Sequence, residues 1–123
     1  MKSAMCLATL FFLTCLPGHA YEVETGSITI CDTQKQVERF VQLFDEDPQV
    51  AMNTVNAEEN DPNACAQVDV SYVQGPKLSM ARSRSHAFQI VPILVVGANV
   101  PGGYRPVKPA IFFTVVEVKE FAV

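Results

Sequence analysis

Two cysteines, Cys31 and Cys65, constrain the fold of this chain more than any other feature. The sequence has four cysteines, and the other two, Cys6 and Cys15, lie within the first twenty residues. Those residues have the order of a secretory signal peptide, so the exported chain keeps one pair. In a compartment that permits disulfides, a pair without nearby histidine or further cysteine predicts a bond and not a metal site. On the chain-entropy model, closing this loop stabilises the fold by roughly 3.8 kcal/mol.

The amino-terminal segment indicates export. One lysine precedes an apolar run from about Met5 to Leu16, and a Pro-Gly break and a small-x-small ending at Gly18-His19-Ala20 follow it. The run is too short to remain in a bilayer as a helix, which predicts cleavage after Ala20 and no stable membrane anchor. Lipidation at Cys15 is the alternative, but the residues before it do not suit a lipoprotein motif. We therefore expect a signal peptide over 1–20 and a single periplasmic or secreted domain over 21–123.

The charge balance is acidic. The formal net charge is −4 for the whole chain, and it becomes −5 once Lys2 leaves with the signal peptide. Proteins that bind nucleic acid usually show a basic footprint, so no nucleic-acid partner is expected.

Two helices are predicted between the cysteines. Thr33 and Gln36 fit a capping box, in which each side chain bonds the backbone N–H of the other. Asp47 and Pro48 then start a second helix, with an acceptor at the N-cap and a proline in the first turn, and this helix continues to about Glu59. In the first helix, one apolar stripe at i, i+3, i+4 and i+7 consists of Val37, Phe40, Val41 and Phe44.

Four strands are predicted from alternation and from β-branched content. Two of them, 27–31 and 68–72, alternate between apolar and polar residues, and 88–96 is almost continuously apolar. Pro92 cannot donate to a ladder, so it predicts an edge position or a bulge in this third strand. The last strand is 111–118.

This order predicts an α+β fold with two N-terminal helices packed on a mostly antiparallel sheet of about four strands. An SH3-like small barrel is an alternative arrangement of the same strands. Two segments, Lys77 to His86 and Gly97 to Pro109, are predicted as loops, the second because it holds three glycines and three prolines.

These two predicted loops carry the candidate binding residues, because binding residues concentrate on loops held by a rigid sheet. The first has the one basic cluster of the chain, whose guanidinium groups suit carboxylate or phosphate. The second presents an aromatic and a cation. For the first loop, the alternative to binding is that its charges balance nearby acidic residues. For the second loop, the alternative is an ordinary hairpin connection. The candidates are Arg82, Arg84, His86, Tyr104 and Arg105.

Catalysis is not expected. His86 is the one histidine left after export, and a small hydrolase using it with Asp69 or a serine is the alternative function. No nucleophile motif supports such a site, and neighbouring hydroxyls in sequence do not make an oriented base. The acidic residues of 58–63 lack the spacing and glycine of a calcium loop, so no metal is predicted. No cofactor is expected either.

Three stretches carry a resemblance, namely 30–40, 58–65 and 107–115, which read ICDTQKQVERF, EENDPNAC and VKPAIFFTV. With these stretches the exported region resembles small exported proteins of Gram-negative bacteria with no assigned function. The resemblance implies a periplasmic address and brings no catalytic residues. The function expected is therefore a non-enzymatic binding or adaptor domain whose partner is an unknown protein or cell-envelope component, with inhibition of a secreted hydrolase as a variant.

Overall fold

The computed structural model describes residues 22–84 and 86–118, so the predicted signal peptide lies outside the described residues. In the described part, no helix is long and apolar enough to cross a membrane. Two helices and five strands follow one another along the chain. In order they are β1 (Val23–Cys31), α1 (Gln34–Leu43), α2 (Pro48–Glu59), β2 (Cys65–Gln74), β3 (Ser79–Arg82), β4 (Ala87–Val100) and β5 (Gly103–Val118).

The strands form one antiparallel sheet in the order β2-β1-β5-β4-β3, and β2 also pairs with β4. This additional pairing joins β1, β2, β4 and β5 into a ring. The α+β class and the antiparallel sheet are confirmed. The sheet has five strands where about four were predicted, and the helices follow β1 instead of opening the domain.

Local signals start both helices as predicted. Thr33 accepts from the backbone N–H of Gln36, and the Gln36 side chain accepts from the backbone N–H of Thr33, each at 3.1 Å. Asp47 caps α2 by accepting from the backbone N–H of Gln49 at 3.0 Å. The α2 helix ends at Asn60 because this residue adopts the left-handed conformation that asparagine tolerates.

The two faces of the sheet are buried in different cores. On one face α1 and α2 cover a helix-side core, in which Phe40 and Val55 pack with Phe88 and Ile90. The other face points into the ring and forms an inner core around Tyr72 and other residues of β1, β2 and β4. β4 contributes to both cores, which explains its nearly continuous apolar sequence.

The predicted disulfide is present. Cys31 and Cys65 are directly opposite each other in the β1–β2 ladder, and both are buried in the helix-side core. Asn56 makes a second connection at this place. Its amide accepts from the backbone N–H of Cys65 at 2.8 Å and donates to the carbonyl oxygens of Cys65 and Pro62, both at 3.0 Å. α2 is therefore fixed to the first residue of β2.

The prediction of a loop over Lys77 to His86 was wrong in part, because Ser79–Arg82 forms β3 on the edge of β4, while the described residues on either side of it belong to no helix or strand. Four residues are too few to show a period, and it is the pairing with β4 that makes them a strand. Backbone bonds from Gly75 to Pro92 and from Leu78 to Ile90, both 2.8 Å, span the break between β2 and β3.

The prediction of a loop over Gly97 to Pro109 was also wrong. β4 continues to Val100, and β5 begins at Gly103 after a tight turn. Gly102 and Gly103 have φ values of 105° and 118°, which other residues rarely adopt. The outer edge of β5 pairs with no described strand over 103–112, so the prolines of this stretch are tolerated as edge residues.

Pro92 lies in a strand that is paired on both sides. Its carbonyl accepts from Gly75 on the β2 side, and in a strand the N and the carbonyl of one residue face the same way. Its missing donor therefore faces the break between β2 and β3, outside the residues that pair in the β2–β4 and β3–β4 ladders.

Candidate functional site

The predicted binding residues form two groups at opposite ends of β4. Arg82 pairs with Ala87 at the start of this strand, and Tyr104 pairs with Asn99 near its end. At about 3.3 Å per residue, these positions are roughly 40 Å apart along an extended strand. The structure therefore brings Arg82, Arg84 and His86 near one another and Tyr104 next to Arg105, but it does not unite the two groups on one surface.

His86 joins three separate parts of the chain. Its Nδ1 lies 2.5 Å from Oε2 of Glu117 in β5, and its Nε2 lies 2.8 Å from Oε2 of Glu46 in the connection between α1 and α2. The ring also packs edge-on against Phe44, with 5.3 Å between ring centroids. The imidazole is thus held on both nitrogens and on one face.

These two carboxylates favour the charged imidazole. Hydrogen bonds from the ring to Glu46 first and then to Glu117 raise the pKa of His86 above its ordinary value, and their negative charges act in the same direction. Because both nitrogens are engaged with carboxylates, neither is available in this arrangement to accept a proton from a hydroxyl. Asp69, the predicted partner of a catalytic His86, instead accepts from Asn99 at 2.9 Å, toward the far end of β4.

The acidic segment 58–63 is engaged within the protein. Glu58 forms a bidentate ion pair with Arg39 of α1, at 2.8 and 3.0 Å, and Asp61 accepts from the backbone N–H of Asn63 at 2.9 Å. Across residues 22–84 and 86–118, no three His, Cys, Asp or Glu side chains converge in a way that could hold a metal ion.

Tyr104 lies over a glycine. A Cβ placed on Gly97 would be 2.2 Å from a ring carbon of Tyr104, so the ring occupies the position of the missing side chain. The Tyr104 side chain nevertheless remains 58% exposed, because its other face has no cover. Covering an otherwise bare glycine in this way protects the backbone of the hairpin.

An exposed apolar row, which we call the outer-face row, crosses four strands. Val23 is opposite Val73, Val73 is opposite Leu94, and Leu94 is opposite Ile111. Directly opposed residues point to the same face of a sheet. Odd-numbered residues of β1 and β2 share the face that carries Cys31 and Cys65. The row is therefore on the same face of the sheet as the helices, in a part that the helices do not cover.

The ends of the outer-face row are open to solvent. Val23 is 55% exposed and Ile111 is 56% exposed. Between them an open groove of about 440 Å³ is lined by 73–76, 92–94 and 111, with Gln74 as the one polar side chain in this lining. Gly75 and Pro76 form its wall at the break between β2 and β3.

Sequence reasoning missed the outer-face row because it depends on register. Each of its residues belongs to an ordinary apolar stretch, and nothing local distinguishes the exposed Ile111 from Phe112, which packs partly buried against the inner core. The usable signal is alternation, since neighbours along a strand face opposite sides.

Comparisons add no relative from which a site could be transferred: no protein-family model, curated protein or solved structure matches the chain.

Proposed function

We propose that this protein is a non-enzymatic periplasmic binding or adaptor domain that receives an apolar segment of a partner protein on the outer-face row. The observation that carries the proposal is the alignment of four apolar side chains across four strands, in the part of the helix-covered face that the helices do not reach. Contiguous exposed apolar surface of this kind is typical of interaction sites.

The composition of the groove favours an apolar side chain as its occupant. Its lining offers one polar side chain, Gln74, and no charged one, so it has little to hold a charged head group or a glycan. Burial of one aliphatic or aromatic side chain in such a groove is worth about 1.5–3 kcal/mol. A cell-envelope component that presents an apolar group is the alternative partner.

The surface is already formed before any partner arrives, because it is built on paired strands. All four residues of the outer-face row lie in ladder-paired strands, and a disulfide joins β1 to β2. A preorganised surface loses little conformational entropy on binding, so more of the contact energy contributes to affinity.

The disulfide supports a cellular location outside the cytosol. Buried disulfides persist in oxidising compartments such as the periplasm and the extracellular space. The leader-like first twenty residues support the same location.

The proposal is tested by placing a charge at the end of the outer-face row. We expect Ile111→Lys to weaken capture of the partner from periplasmic extract by the immobilised protein at least tenfold, because an unpaired ammonium would be buried in the contact. Val50→Lys is the matched control, since Val50 of α2 is 58% exposed and lies outside the groove. Circular dichroism would establish that both variants fold. Equal capture by Ile111→Lys and the control would contradict the proposal.

A further inference from the structure

We propose that His86 is a proton-dependent latch. The protonated ring holds the connection between α1 and α2 against the end of β5, and when the ring loses its proton the connection moves and opens the cleft beneath it. The connection comprises residues 44–47. It is at the helix-covered end of the sheet, away from the outer-face row, so the latch does not depend on the docking proposal.

The geometry requires a ring that donates twice. Glu46 and Glu117 are at 2.8 and 2.5 Å from different nitrogens of His86. A neutral imidazole has one N–H donor and one acceptor nitrogen, whereas the imidazolium has two donors. When both glutamates are ionised, only the imidazolium satisfies both contacts. Loss of the proton leaves one carboxylate facing a lone pair, and that contact must break.

The latch closes over a cleft of about 270 Å³ between α1, β1 and β5. Phe44 of the connection and Pro48, which follows it, form part of the cleft wall, and Val115 of β5 forms another part. Phe40 and Phe88 belong both to the cleft lining and to the helix-side core. Movement of the connection would therefore expose aromatic surface of Phe40 and Phe88 that is now buried.

The backbone of Glu46 favours release. Glu46 has φ 72°, in the left-handed region that a residue with a long side chain seldom occupies. Such a conformation persists when surrounding contacts hold it, and the bond to His86 is one such contact. A weakened contact lets the connection relax to an ordinary conformation.

The charges around the ring have opposing effects. Glu46 and Glu117 contact it directly, and Asp45 and Asp47 lie beside Glu46 on the same connection. Arg82 and Arg84 precede His86 on the segment from β3. The acids favour the protonated ring and the arginines disfavour it, and the two direct contacts decide the balance because they are nearest. The pKa of His86 is raised accordingly, with its bonds to Glu46 and Glu117 as the main causes.

The experiment is an NMR titration of residues 21–123 that follows the His86 ring and the Phe44 ring together. We expect His86 to titrate above the ordinary imidazole value of about 6.5. The Phe44 ring signals and the backbone amides of 44–47 should shift with the same midpoint. Glu46→Gln and Glu117→Gln should each lower that midpoint, because each removes an anionic acceptor, and neither change disturbs a buried group.

Glu22→Gln, at an exposed glutamate outside the cluster, is the matched control and should leave the midpoint unchanged. In Glu46→Gln the lowered midpoint should be seen at the His86 ring alone, and the amides of 44–47 should no longer follow it. A His86 that titrates at or below the ordinary value would overturn the latch. Phe44 signals that stay constant while His86 titrates would overturn it equally, because the ring would then change charge without moving the connection.

Discussion

At the scale of single residues, His86 couples the protonation of one ring to the stability of the fold. Its pKa in the folded protein is raised, so the stabilisation from its two carboxylates is fully present below the unfolded value of about 6.5. It is lost as pH rises through the higher folded-state pKa.

We therefore predict that the thermal unfolding midpoint of residues 21–123 falls as pH rises from about 6.5 through the folded pKa of His86. His86 is the one histidine in this range of the sequence, so its removal isolates the effect. In His86→Gln the decline over this window should disappear, apart from any contribution of the terminal amine. A wild-type midpoint that rises over the same window would contradict the prediction.

Gly97 permits a second prediction at this scale. In Gly97→Ala the new methyl group would overlap the Tyr104 ring, but that ring is at the surface and can rotate away. We expect a loss of less than about 1 kcal/mol, below the cost of overpacking a core. Nuclear Overhauser contacts between the Tyr104 ring and residue 97 should be lost. Gly26→Ala is the control, since nothing lies within 4 Å of its new Cβ. Ring contacts that persist in Gly97→Ala would show the prediction to be wrong.

At the scale of elements, Asn56 connects α2 to β2 through two hydrogen bonds like those that paired strand residues exchange. Its amide both accepts from and donates to the backbone of Cys65. We predict that Asn56→Ala lowers the free energy of unfolding by about 1–3 kcal/mol, because it leaves a partly buried backbone N–H without its acceptor. Urea unfolding measures this loss.

Asn53→Ala is the matched control for that experiment. Asn53 lies on the exposed side of the same helix, where its side chain accepts from Gln49 at 2.9 Å. Exposed substitutions of this kind change stability by about 0.5 kcal/mol or less. Equal losses for the two asparagines would mean that the bonds to Cys65 contribute little.

Elements defined by neighbouring residues were predictable from the sequence, and elements defined by pairing were not. Thr33 with Gln36 and Asp47 with Pro48 start helices through contacts a few residues away. β3 has no local pattern and exists because β4 offers it an edge. The composition of 97–109 is typical of a loop, yet the same glycines serve a tight turn and the prolines fall on an edge strand.

The candidate sites show the same division. His86 was recognised as a titrating group, but its partners are 40 and 31 residues away along the chain. No spacing rule connects Glu46 with Glu117. The outer-face row likewise depends on the register of four strands. Such juxtapositions follow from topology, and the sequence pattern did not specify the ring closure of β2 on β4.

At the scale of the whole molecule, the disulfide is at the point where the two layers meet. Cys31 and Cys65 belong to the β1–β2 ladder and also to the helix-side core, and the chain between them consists mainly of α1 and α2. The bond thus closes the helical pair onto the sheet. Domains of this size have total stabilities of about 5–15 kcal/mol, so one cross-link is a large fraction.

We predict that Cys31→Ala with Cys65→Ala lowers the free energy of unfolding by about 4 kcal/mol, mainly because the denatured chain regains the entropy of a loop whose ends are 34 positions apart. The urea dependence should steepen as well, since a denatured state without the cross-link exposes more surface. Wild-type protein unfolded with a reductant provides the matched comparison, because it loses the bond but keeps both sulfur atoms in the core. If the reduced wild type and the oxidised protein have the same free energy of unfolding, extrapolated to zero urea, the disulfide adds no net stability and the prediction is contradicted.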